Sequence, residues 1–82
     1  MEKISITVKI PALDCTCDFI VPNNMSVGNA QNLMVRILSS EYGISKTSND
    51  VMLFDLSDHT ALRAECNFAQ LGISDGARLL LI

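Results

Sequence analysis

The chain has 82 residues, 49 % of them hydrophobic, and its six Lys and Arg set against nine Asp and Glu give a net charge of −3. That length suits one small domain with its own core, and scattered cations under a negative net charge speak against nucleic-acid binding, which needs clustered Lys and Arg to displace phosphate counterions. No apolar run approaches the ~20 residues that cross a bilayer and no secretion leader is visible. Three cysteines, Cys15, Cys17 and Cys66, leave at least one unpaired, so the expectation is a cytoplasmic protein of a reducing compartment, not itself inserted in a membrane.

Ile4, Ile6, Val8 and Ile10 alternate with Ser5, Thr7 and Lys9, the period of two expected of a strand with one wet face. Pro11, Ala12, Leu13 and Asp14 interrupt it, since proline lacks the donor that a ladder needs and aspartate favours turns. A second alternation places Cys15, Cys17, Phe19 and Val21 on one face and Thr16, Asp18 and Ile20 on the other. The two strands read as an antiparallel hairpin.

Asn23, Asn24 and Met25 follow Pro22, and Ser26 stands just before a run with helical spacing, where its hydroxyl can accept from an orphan amide. At 100° per residue Val27, Ala30, Leu33, Met34, Ile37 and Leu38 form the expected buried side, with Asn29, Asn32, Arg36, Ser39 and Ser40 opposite. Gly43 is placed to end the helix in a left-handed conformation. Residues 44–50 read as a polar connection with one apolar foot, Ile44.

Val51, Met52, Leu53 and Phe54 read as a third strand, although four consecutive apolar residues leave open which two are buried. Ser57, Asp58 and His59 form a turn, Ala61 and Leu62 a short edge strand, and Asn67, Phe68, Ala69 and Gln70 a short helical turn. Gly72 and Gly76 then flank a reversal, and Leu79, Leu80, Leu81 and Ile82 follow without a polar break, as in a strand held inside a sheet. Two antiparallel strands, one crossing helix and a returning last strand describe an α+β fold, the ubiquitin-like β-grasp with a mixed sheet and one crossing helix, over a single domain 1–82.

The residues agree with that in detail. Phe19, Ile20 and Val21, followed after an interval by Ser26 and Val27, resemble the second strand and helix entry of ubiquitin. The segment 62–79, with Leu71, Gly72, Ile73, Ser74, Asp75 and Gly76 at its centre, resembles the carboxyl-terminal third of the YukD/EsaB family. Those are small ubiquitin-like proteins encoded beside bacterial type VII secretion systems, which export WXG-motif proteins. The resemblance implies an accessory or adaptor protein that acts by protein–protein interaction, at the inner face of the cell membrane where its partner lies there. Conjugation and sulfur transfer by ubiquitin-like proteins need a flexible tail ending in two glycines; the last residues of this sequence are Leu81 and Ile82, so the expectation is a protein that is not conjugated.

Cys15 and Cys17 lie about 7 Å apart on one strand face, and with Cys66 and His59 they make a conceivable zinc set. In phase with Phe19 and Val21, the two thiols read instead as small core hydrophobes, and no metal or other cofactor is expected. A small metal- or thiol-carrying β-grasp domain associated with an enzyme is the alternative that these cysteines leave open. His59 with Asp55, Asp58 and Cys66 suggests no catalytic set, because no strained elbow or oxyanion cradle precedes the cysteine. Gly72 and Gly76 are spaced too loosely to cradle phosphate.

The stronger candidate is a surface. If Leu79 and Leu81 face the helix, period two sends Leu80 and Ile82 to the opposite side, where Ile20 and one or two of Met52, Leu53 and Phe54 join them. Ile20, Met52, Phe54, Leu80 and Ile82 are the candidate partner-binding set. Several large apolar residues on a sheet face that no second helix covers mark a docking site, and ubiquitin binds partners through the same face at positions matching Leu80 and Ile82. The partner expected is a protein component of the secretion machine, or a second copy of the chain.

Overall fold

The computed structural model describes residues 2–43 and 51–82, so the connection read at 44–50 lies outside the described residues. Strand β1 (Lys3–Ile10) buries Ile4, Ile6, Val8 and Ile10 and turns the intervening residues outward. It pairs antiparallel with β2 (Cys15–Pro22), from Lys3 opposite Pro22 to Ile10 opposite Cys15. At the hairpin corner Pro11–Leu13 make one 3-10 turn, and Asp14 adopts a left-handed φ of 50° while its amide donates to the Pro11 carbonyl at 3.1 Å. Aspartate tolerates that region better than most residues.

Helix α1 (Val27–Tyr42) begins where the Ser26 hydroxyl accepts from the Asn29 amide at 3.2 Å, and Gly43 ends it with a φ of 69°. Two further amides of the first turn are taken up by the loop that precedes the last strand: Val27 donates to the Cys66 carbonyl at 2.8 Å and Gly28 to that of Ala64 at 2.9 Å. Such bonds satisfy donors that a helix cannot pair internally.

The buried side of α1 is rotated from the expected one. It comprises Val27, Ala30, Gln31, Met34, Val35 and Leu38, whereas Leu33 and Ile37 are 42 % and 46 % exposed. Each of those two immediately precedes a buried residue and so lies about 100° around the helix from it. Gln31 takes part in the inner face because its side-chain nitrogen donates to the Val51 carbonyl at 3.1 Å, which meets the amide's need for a partner.

The chain then enters β3 (Leu53–Asp55), β4 (Thr60–Ala61) and β5 (Ala77–Leu81). The sheet order is β2-β1-β5-β3-β4, with β5 parallel to β1 and antiparallel to β3. Strand β3 is shorter and later than the run 51–54 suggests. Leu53 is its buried residue, which sends Met52 and Phe54 outward. Leu62 leaves the edge strand to enter the core and donates its amide to Leu53.

The expected helical turn at 67–70 is a single capped turn. Asn67 and Gln70 exchange side-chain-to-amide bonds of 2.8 and 2.7 Å, the reciprocal pattern of a capping box. The turn closes with Ile73 donating to Phe68 and Gly72 to Ala69, Gly72 having a φ of 73°. That pair of bonds is a Schellman closure, and it presses Phe68 and Ile73 into the core formed by β1, α1 and the inward residues of β5, Leu79 and Leu81.

Candidate functional site

The pairing register decides what the outer face of the sheet presents. Leu80 stands opposite Phe54 on β3 and Lys9 on β1. One step further, Met52 and Ile82 exchange both backbone bonds, at 2.7 and 3.0 Å, so they too are direct neighbours. Directly paired residues place their side chains together on one face. Leu80, Phe54, Ile82 and Met52 therefore form one apolar group, in which Leu80 and Phe54 are half-buried while Ile82 and Met52 are 51 % and 48 % exposed. The helix lies on the other side.

Ile20 is not part of this group. It is 72 % exposed, but it pairs with Ser5, and the Ser5 carbonyl accepts from Gly76, four residues before Leu80 on β5. The separation is about 13 Å along the strands and two strands across, about 10 Å. Among the described residues Ile20 lies at the opposite corner of the face, apart from this group.

Residues that the sequence reading left out border the group. Lys9 is beside Leu80, and Arg78, two residues before Leu80 on the same face, is opposite Thr7. With Thr7, Thr16 and Leu56 they line a shallow groove. Alternation showed Lys9 to be outward, but only the parallel pairing of β1 with β5 puts it next to Leu80.

The cysteines divide into two places. Cys66 is at the amino-terminal end of α1, where its carbonyl accepts from Val27. Cys15 and Cys17 lie near Tyr42, the last residue of the helix, about 24 Å away along a helix of this length. The four-ligand zinc set is therefore not brought together. Cys15 and Cys17 are half-buried and pack against the rim of the core. Burial first, and then the neighbouring Cys15, raises the Cys17 thiol, with the Tyr42 hydroxyl acting in the opposite direction; Tyr42 is itself raised, first by charge at Cys15.

His59 is an exposed turn residue with a φ of 57°, and its amide donates to the Asp55 carbonyl at 2.8 Å. Asp55 accepts from the Ser57 amide at 2.9 Å. Those interactions build the turn between β3 and β4. Among the described residues no helix is long and apolar enough to cross a membrane.

No family model matches the chain, and no curated protein matches it. Solved structures do. A ubiquitin-like domain of an Arabidopsis thaliana protein superposes with a TM-score of 0.79 at 16 % identity, covering 100 % of this chain and 78 % of that one. The EccD5 ubiquitin-like domain from Mycobacterium xenopi gives 0.77 at 16 % identity, covering 100 % and 94 %. Caldiarchaeum subterraneum ubiquitin gives 0.74 at 18 % identity, covering 99 % and 92 %. The chain thus has the ubiquitin-like β-grasp fold, with a mixed five-stranded sheet and one helix across it among the described residues.

Proposed function

We propose that the protein is a ubiquitin-like adaptor of a bacterial type VII secretion system that acts by non-covalent docking and has no chemistry of its own. The observation that carries the docking role is the group Met52, Phe54, Leu80 and Ile82 on a sheet face turned away from the helix. Contiguous apolar residues of this size at a surface mark contact sites. The assignment to a secretion system rests on the resemblance of 62–79 to the YukD/EsaB family, and the fold is the one that this resemblance implies. Residues 77–81 are held in the sheet between β1 and β3, so this stretch offers side chains to a partner.

The test is co-purification from the native bacterium with wild-type protein and with Leu80→Glu as bait. A cytosolic or membrane-embedded part of the secretion machine should be retained by the wild type and lost with the variant. Retention of such a component by both baits would remove the face from the mechanism, and recovery of partners unrelated to secretion would remove the pathway.

A further inference from the structure

The docking face is asymmetric in charge, and that selects its occupant. We propose that it takes an apolar segment of a protein partner that carries carboxylates beside its anchoring side chains, and not a second copy of this chain; the inference rests on the docking role proposed above. Along β1, β2 and β5 the outward positions include three cations, Lys3, Lys9 and Arg78, and one carboxylate, Asp18. Half of the chain's six Lys and Arg thus share one face of a molecule whose net charge is −3. Asp18 already accepts the Thr7 hydroxyl at 2.9 Å. Lys9 and Arg78 are exposed, and the ion pair found among the described residues, Arg63 with Glu65, involves neither.

Geometry ties those cations to the apolar group. Lys9 is one strand spacing from Leu80, and Arg78 is one side-chain repeat along β5 from it. A segment that sets an apolar side chain on Leu80 and Phe54 therefore brings its neighbouring residues over the groove where Lys9, Arg78, Thr7 and Thr16 converge. A carboxylate there meets two cations and the Thr16 hydroxyl, the Thr7 hydroxyl being already donated to Asp18. A second copy meets a different situation. A two-fold interface centred on Leu80 sets the same patch against itself, which crowds Lys9 and Arg78 of both copies around the axis. Like charges so placed disfavour that partner.

The experiment is selection of random 16-residue peptides displayed on phage against immobilised wild-type protein, followed by fluorescence anisotropy with the recovered peptides. Enriched peptides should combine large apolar residues with Asp or Glu, weaken as salt is raised, and bind Lys9→Glu/Arg78→Glu at least about tenfold more weakly. Both charge positions are exposed, so a thermal melt should show the double variant folded. Peptides without acidic enrichment that lose binding to Leu80→Glu but not to the charge variant would overturn the present inference and leave the docking face standing. Peptides indifferent to Leu80→Glu, or no enrichment, would overturn both. A dimer of the wild type in sedimentation equilibrium that Leu80→Glu dissolves would establish self-association and refute the acidic partner.

Discussion

Leu79 and Leu80 are adjacent in β5 and belong to different parts of the molecule: Leu79 is fully buried beneath the helix, and Leu80 lies on the outer face against Phe54. Their substitutions should have opposite consequences. Leu79→Ala should lose about 2 to 5 kcal/mol of stability, as core truncations do, while Leu80→Glu should keep the fold and lose the partner. Urea denaturation of both variants beside a binding assay makes the comparison. A Leu80→Glu protein that fails to fold would show Leu80 to be interior.

The rotated helix face gives a second pair. Leu38 is fully buried and Ile37 is nearly half exposed, so Leu38→Ala should cost about 2 to 5 kcal/mol. Ile37→Ala should stay within about 0.5 kcal/mol of the wild type. Equal losses in denaturant melts would mean that the helix packs through the stripe its apolar residues first suggest.

Gln31 joins the helix to the entry of β3 through the Val51 carbonyl. Its replacement by alanine removes the donor and leaves a partly buried acceptor, which should cost about 1 to 3 kcal/mol. Hydrogen exchange at the amides of β3 should accelerate in the variant as well as the melting point falling. No change in either would separate the helix from that strand.

Cys17 carries a prediction for pH. Its thiol is raised by burial and by Cys15, so the folded protein holds that proton more tightly than the unfolded chain does. The resulting contribution to stability is complete below the thiol's unfolded pKa and is lost as pH rises through the higher folded value. Thermal melts should decline in alkaline solution, and less steeply in Cys17→Ala. Timed alkylation near pH 8.5 should label Cys17 more slowly than a free cysteine peptide; equal rates would contradict the shift.

Much of this molecule follows from local pattern. The alternation from Ile4 to Ile10 reports a half-buried strand, and Ser26 and Gly43 bracket the helix because each meets a need of the backbone at a helix end. Asn67, Gln70 and Gly72 likewise specify a capped turn through bonds within a few residues. Such features are settled by neighbours in sequence. The inward side of Gln31 was hidden because its burial depends on a carbonyl 20 residues away, and the exposure of Leu33 and Ile37 depends on how the helix is set over the sheet.

The docking face shows the same division. Period two in the last strand was enough to part Leu79 and Leu81 from Leu80 and Ile82, since alternation is a property of any extended chain. Which residues stand beside Leu80 is a matter of register between strands far apart in sequence. That register admits Met52 and Phe54, sets Ile20 at a distant corner and brings Lys9 and Arg78 to the border. The chain by itself therefore determined its first two strands, its helix and the alternation of its last strand, through forces that act over a few residues, while the bounds of β3 and β4 were set by their pairing. Strand pairing alone decided which apolar and charged side chains share a surface, because only hydrogen-bonded ladders bring residues separated by some 70 positions to within one strand spacing of each other.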